Sequence, residues 1–384
     1  MTRVLHIISG LDVGGAETFL LRLIPSLQRA GLRSSVIYLS GEGRLAADYR
    51  KAGVEVCSCR LDRGVKSIVG LYKLVMTVRS QNPDVMQTWM YHADFFGCVV
   101  GWLLKKPVFW GVRQSNLNRQ VNKGRTLFVV WLCSFLSRYR PEKIIYNANS
   151  ARLAHEKVGY DSSKSEVIHN GIDCEKFIAV TDAGNSIREK LDIPTDALLI
   201  GHIARYDLQK DHAGFLEAIK MVKEKFPKVH VLLACEGVTW ANQELFSGFD
   251  HTEDETWLHP LGYRTDIPDL IASLDLFCSS SRGESFPNAV LEAMALGTPC
   301  VVTNVGDVTE LVGEFGIVVK PETPRELAAG CNKLLSQPPE FRRRLGEGAR
   351  QRVLDYFSLE TSAVQFVELY ESYLGKLPSR GISR

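Results

Sequence analysis

Ser280-Ser-Arg-Gly-Glu-Ser-Phe-Pro-Asn-Ala-Val-Leu-Glu-Ala-Met294 follows an apolar run that ends at Cys278 and turns into a helical pattern before it closes. The run Leu274 to Cys278 reads as a short buried strand. Ser285 is placed as the N-cap and Pro287 as an early helical residue, because a serine oxygen accepts from the first open amides and proline has no amide to waste. Glu284 then stands just outside the helix and Glu292 in its second turn. Both carboxylates can reach one ligand lying across the helix N-terminus. A carboxylate accepts two hydroxyl donors at once, which suits sugar and ribose hydroxyls, and the open amides suit phosphate.

Outward from this stretch, short β-branched runs alternate with amphipathic stretches, the pattern of parallel sheets with helices on both faces. Val4 to Ile8, Ser35 to Leu39, Asp84 to Thr88, Val108 to Val112, Lys143 to Tyr146 and Glu166 to Ile168 form one set. Leu198 to Ile203, Val229 to Ala234, Thr256 to Leu261, Leu274 to Cys278, Pro299 to Val302 and Gly316 to Val318 form a second. Between the sets strand patterning lapses, and the Asp182 to Asn185 cluster is expected to break the chain. Domains are therefore expected over residues 1–175 and 176–357, with 358–384 a helical tail returning to the first. A chain of 384 residues exceeds one ordinary core, which agrees with two domains.

Composition narrows the class. With 45% hydrophobic and 23% charged residues and no repeat, the chain reads as a folded enzyme. Its N-terminal apolar run is too short for a signal peptide, and its longest apolar stretches, Phe95 to Leu104 and Leu127 to Leu136, are too short to span a bilayer, so a cytoplasmic protein is expected. Nine scattered cysteines without CxxC spacing read as reduced core residues. Residues 1–176 hold 25 Lys and Arg against 14 Asp and Glu, a net +11, and the remainder carries −9. Phe95 to Pro141 has no acidic residue and eight basic ones, Lys105, Lys106, Lys123 and Arg125 among them, interleaved with Trp102, Trp110, Phe128 and Trp131. That points to an anionic partner, such as a membrane face, with the aromatics as core as the alternative.

Two further loops carry candidate chemistry. Gly10-Leu-Asp-Val-Gly-Gly-Ala-Glu17 follows the first strand, and Gly14 and Gly15 let backbone approach a ligand. The spacing is not GxGxxG, so a dinucleotide fingerprint fits poorly. Arg205 and Lys210 emerge from the end of a strand, placed to hold a diphosphate, or else as solvated loop charges. His92, in Gln87-Thr-Trp-Met-Tyr-His-Ala-Asp94, stands at a strand-to-helix turn, where a capping or core role is the alternative. No histidine pair at metal spacing and no Asp-x-Asp is found, so no bound metal and no cofactor are expected. The acidic run Asp250 to Glu255 reads as a solvated loop. Nothing points to nucleic acid.

The Glu284-x7-Glu292 segment resembles the signature of retaining GT-B glycosyltransferases of family four, the glycosyl transferases group 1 type. The glycines at 14 and 15, Arg205 with Lys210, Leu261-Gly-Tyr263 and Glu292-Ala-Met-Ala-Leu-Gly-Thr-Pro299 recur there in the same order. The resemblance implies two Rossmann-like domains with parallel sheets facing across a cleft, C-terminal helices crossing back to the first domain, and a metal-independent retaining transfer. It assigns the donor, a nucleotide sugar with UDP as the commonest nucleotide, to Glu284 for sugar hydroxyls, Glu292 for ribose, Arg205 and Lys210 for the diphosphate and the backbone near Tyr263 and Arg264 for the base. Ser285, Phe286 and Asn288 complete that stretch, and His92 meets the transferred sugar. The expected acceptor is a lipid-linked glycan intermediate of surface polysaccharide synthesis, such as lipopolysaccharide, reached at the inner membrane face. Pro287, where many relatives have glycine, puts one backbone contact to the donor in doubt, since proline donates no N–H. A nucleotide-sugar 2-epimerase on the same shell, or a non-catalytic sugar-nucleotide sensor, are the competing classes.

Overall fold

The computed structural model describes residues 1–61, 65–118, 124–177, 181–249 and 256–375. Lys123 and the run Asp250 to Glu255 lie outside the described residues. The chain forms two compact units, Met1–Gly171 joined by the chain from Leu359 onward, and Ile172–Ser358.

In the first unit β1 (Thr2–Ile8), β2 (Leu32–Tyr38), β3 (Glu55–Ser58), β4 (Val85–Trp89), β5 (Val108–Val112), β6 (Lys143–Tyr146) and β7 (Ser165–Val167) make a seven-stranded sheet in the order β3-β2-β1-β4-β5-β6-β7. All its pairs are parallel. α1 (Gly15–Arg29), α2 (Ala46–Lys51), α3 (Val65–Gln81), α4 (Tyr91–Leu104), α5 (Gly124–Leu136) and α6 (Asn149–Lys157) connect them. β4 and β5 are buried at every position, as strands covered on both faces must be.

The second unit holds α7 (Thr181–Lys190), β8 (Leu199–Ile203), α8 (His212–Lys225), β9 (His230–Ala234), β10 (Leu258–Pro260), α9 (Ile267–Ala272), β11 (Leu276–Ser279), α10 (Asn288–Ala295), β12 (Cys300–Thr303), α11 (Val308–Val312), β13 (Gly316–Val319), α12 (Pro324–Leu335) and α13 (Pro339–Tyr356). Its six strands are parallel in the order β10-β9-β8-β11-β12-β13. The expected fold class, parallel α/β sheets in two Rossmann-like units, is what the chain adopts.

The last helix, α14 (Leu359–Tyr373), belongs to the first unit and packs on α1. Trp89 lies between Phe19 and Phe366, with ring centroids 6.1 and 6.0 Å away. Tyr370 Oη donates to Gln87 Oε1 at 2.8 Å, and Arg113 lies 4.8 Å from both the Phe19 and Trp89 rings. Burial pulls the Arg113 guanidinium down to about 9, so it stays charged at neutral pH. Its η1 nitrogen donates to Asn170 Oδ1 at 2.9 Å, which holds the exit of the first unit against the end of β5.

Two local expectations are corrected. The Asp182 to Asn185 cluster lies inside α7 and does not break the chain. Gly184 sits where α7 crosses α9, and a Cβ there would stand a tight 3.0 Å from the Ala272 carbonyl oxygen. β3 was not read from sequence, since this edge strand is short and half-exposed and shows no apolar alternation. Among the described residues no helix is long and apolar enough to cross a membrane.

Candidate active site

The second sheet reverses its strand order between β8 and β11. Connections that leave two adjacent strands in opposite directions open a crevice at their carboxyl ends. The loops at that point are those of Arg205 to Asp211 and Ser280 to Glu284.

The first loop is shaped by its own carboxylates. Asp207 accepts from the Gln209 amide at 2.9 Å and caps a single 3-10 turn, Leu208–Lys210. Asp211 is left-handed, with φ +49°, and caps α8 by accepting from the Gly214 amide at 3.2 Å. The second loop is laced to the first. Ser280 Oγ donates to the Lys210 carbonyl at 2.8 Å, the Arg282 amide to the Gln209 carbonyl at 2.7 Å, and Arg282 Nη2 to Asp211 Oδ1 at 2.7 Å. Asp211 therefore caps the helix and anchors the neighbouring loop with the same carboxylate.

These constraints bring the Lys210 ammonium onto Glu284 Oε1, which also accepts from Ser281 Oγ at 2.9 Å. The pair is mostly enclosed, with 24% and 16% of the two side chains exposed. An ammonium has three donors, so Lys210 can hold Glu284 and still donate to a phosphate oxygen. Arg205 is less tied down. Its side chain is 64% exposed and its guanidinium lies 3.5 Å from Asp207, at the rim of the crevice.

The helix of the quoted motif starts later than Ser285. α10 begins at Asn288, and Pro287 is its N-cap, at φ −83° and ψ 89°. The residue before a proline avoids the helical region, so Ser285-Phe286 cannot enter the helix. Phe286 turns its ring inward, buried against Phe357 with centroids 5.7 Å apart. Glu292 falls in the second turn of α10 as expected. Gly306 was missed by the sequence reading. It has φ +58°, and a Cβ there would stand 2.5 Å from the carbonyl oxygens of Glu284 and Ser285. Tyr263 is exposed beyond Gly262, whose carbonyl accepts from the Cys235 amide at 2.8 Å, and Arg264 Nε is held by Asp266 Oδ1 at 2.8 Å.

The first sheet reverses between β1 and β4, and the loops there are those of Gly14 and His92. Gly14 is extended, at φ −154°, and N-caps α1. A Cβ there would meet the Glu17 carboxylate at 2.4 Å, the far end of a flexible side chain that can turn aside. Gly15 is the first residue of α1. His92 follows Met90, a non-glycine at φ +72°, a strained conformation of order 1–3 kcal/mol. The Met90 amide donating to the Gly111 carbonyl at 2.9 Å and Thr88 Oγ1 donating to Asp94 Oδ1 at 2.6 Å hold that turn. His92 keeps an exposed surface, yet desolvation by the surrounding protein lowers its pKa, so it is neutral at pH 7.

Asp94 is fully buried, and desolvation pushes it up to about 7 against the opposing hydrogen bonds from Thr88 and Gly111. A carboxyl whose folded pKa is raised is stabilising in its protonated form, and that contribution is lost as pH rises from the ordinary value near 4 through about 7. Asp94→Asn keeps an oxygen for Thr88 and removes the titration. Denaturant unfolding should show the variant gaining on the wild type by on the order of 3 kcal/mol between pH 4 and pH 8. A difference independent of pH would mean that Asp94 does not carry the proton.

Of the basic candidates, Lys105 ends α4 and Arg125 stands at the start of α5, both exposed. Lys106 is instead tied to Asn82 Oδ1 at 2.5 Å.

Comparison with known proteins agrees with this architecture. Residues 13–176 match the family model Glycosyltransferase Family 4, and residues 185–352 match Glycosyl transferases group 1. A D-inositol 3-phosphate glycosyltransferase of Corynebacterium urealyticum is 30% identical over 62% of this chain and 60% of its own length. A UDP-Gal:alpha-D-GlcNAc-diphosphoundecaprenol alpha-1,3-galactosyltransferase of Escherichia coli is 26% identical over 64% of this chain and 63% of its own. The chain thus spans less than two thirds of the length of these two relatives. Among solved structures, Anabaena Alr3699/HepE in complex with UDP superposes with a TM-score of 0.84 at 21% identity, covering 97% of this chain and all of that one. With both family models matched in order along two parallel-sheet units, the chain belongs to the GT-B glycosyltransferases of family four, the glycosyl transferases group 1 type.

Proposed function

We propose that this protein transfers a sugar from a UDP-sugar to an acceptor hydroxyl with retention of anomeric configuration, and that the acceptor is a lipid-linked glycan intermediate of surface polysaccharide synthesis. The observation that carries the reading is the Lys210–Glu284 pair at the strand-order reversal of the second sheet. A cation and a carboxylate side by side suit a ligand that has a diphosphate next to sugar hydroxyls. Glu284 takes the sugar hydroxyls, Lys210 and Arg205 the diphosphate, Glu292 the ribose, and the backbone at Tyr263 and Arg264 the base. Ser285 and Asn288 border the phosphates, while Phe286 acts through packing. Gly14, Gly15 and neutral His92 are assigned to the transferred sugar.

As the anomeric carbon–oxygen bond breaks, negative charge grows on the departing diphosphate. Lys210 and Arg205 stabilise it, and such preorganised stabilisation is the main catalytic term. The acceptor hydroxyl attacks the same face of the sugar, and its proton passes to the leaving phosphate oxygen. A UDP nucleotide is supported by the UDP complex of the Anabaena neighbour, and a lipid-linked acceptor by the name of the Escherichia coli relative.

Because side-chain cations are assigned to the diphosphate, activity is expected to survive EDTA. The assay incubates the protein with UDP-sugars and a polyprenyl-diphosphate sugar, with and without EDTA, and reads released UDP and the product anomer by NMR. Isomerised donor without acceptor, binding without turnover, an inverted product or activity restored only by magnesium or manganese would each overturn a stated part of the reading.

A further inference from the structure

α3, α4 and α5 lie side by side, α4 packing on both neighbours, and their outward surface is unusually apolar. Trp102 and Leu103 on α4 are 70% and 61% exposed, and Phe128, Trp131 and Phe135 on α5 are 57–62% exposed. Tyr139 follows them at 69%, and Ile68 and Tyr72 extend the surface onto α3. The rings are grouped, Phe128 on Trp131 at 5.8 Å and Phe135 against Tyr139 at 5.4 Å. Clustered apolar groups of this size on a folded surface mark an interaction site.

Charge selects the partner. The three helices contain one acidic residue, Asp94, and it is fully buried. Arg79, Lys105, Arg125 and Arg138 are exposed on or beside them. A second copy would bring two positive faces together without compensating carboxylates, whereas an anionic bilayer offers negative headgroups for the cations and an acyl boundary for the rings. Tryptophan and tyrosine, with an apolar body and a polar edge, favour that boundary.

We propose that the α3–α4–α5 face of the first unit seats on the surface of an anionic lipid bilayer, its rings entering the headgroup–acyl boundary and Lys105, Arg125 and Arg138 gripping headgroups. This rests on the lipid-linked acceptor reading and names the surface through which such an acceptor is approached. Insertion of the rings gives this face a weight that charge alone would not, and places Lys106, occupied by Asn82, outside the contact.

The test is cosedimentation of the full chain with vesicles of phosphatidylcholine alone or mixed with phosphatidylglycerol. The wild type should partition to the anionic vesicles and weaken with salt. Phe128→Ser/Trp131→Ser/Phe135→Ser should lower partition at least tenfold at every salt concentration. Lys105→Gln/Arg125→Gln/Arg138→Gln should lower it about tenfold or more and remove the salt dependence. Far-UV circular dichroism and thermal melting confirm that both variants fold. No binding, equal binding to neutral vesicles, or wild-type binding by the ring variant would overturn the proposal. So would a lipid-free dimer, seen by sedimentation velocity, that the ring variant loses. Partition is read without donor or acceptor, so failure of the sugar-transfer reading would not disturb it.

Discussion

Lys210→Met is expected to lower kcat for sugar transfer by about 100- to 1000-fold, or roughly 3 to 4 kcal/mol of transition-state stabilisation. The ammonium touches Glu284 and is mostly enclosed, so its replacement removes the cation nearest the proposed diphosphate and leaves the carboxylate without its charge partner. The unbalanced Glu284 would then repel the phosphate charge that grows in the transition state. Glu284→Gln should lose activity too, and the double variant should lose much less than the sum, because the two residues act on one ligand. Arg205→Ala should cost less than either, since its side chain is largely solvated at the rim. Steady-state kinetics on variants with native circular dichroism decides. A Lys210→Met enzyme within threefold of wild-type kcat would remove Lys210 from the diphosphate site.

Gly346→Ala is expected to destabilise the second unit by about 3 kcal/mol. α13 crosses the turn after α10 so closely that a Cβ at Gly346 would stand 1.8 Å from the Gly297 carbonyl oxygen, and that turn is itself held at φ +74°. Backbone cannot swing aside as a side chain does, so the two helices must separate, and α10 carries Glu292. Thermal unfolding should fall by roughly 6 to 12 °C, at about 2 to 4 °C per kcal/mol for a unit of this size. Gly124→Ala is the contrast, since a Cβ there meets nothing within 4 Å, and its melting temperature should not fall. Equal melting of the two variants would mean that α13 adjusts at no cost.

Tertiary contacts override local composition at several positions. Ser285 and Pro287 have the composition of a helix start, yet the proline constrains Phe286 and defers the helix to Asn288. The Asp-Ala-Gly-Asn cluster has the composition of a break, yet its glycine sits at a helix crossing. Phe128 and Trp131 suited either a core or a surface by periodicity, and the packing of α5 on α4 leaves both outside.

The sequence by itself determined the two parallel-sheet units, the family, the helical end of the chain and the loops that carry charged candidates. Those are properties of local alternation and of residues close in the chain, where a strand's period or a proline's missing amide acts without distant partners. The tertiary structure decided that Lys210 meets Glu284, that Arg282 meets Asp211, that Gly306 presses on the Glu284 loop and that Arg205 stays at the rim. The first two pairs lie 74 and 71 residues apart, and β8 and β11 become neighbours only after the chain has made two strands on the far side of β8 and returned. No local pattern encodes that adjacency. It arises because parallel strands must be joined by crossovers, and the point where the crossovers reverse is where distant loops are brought together.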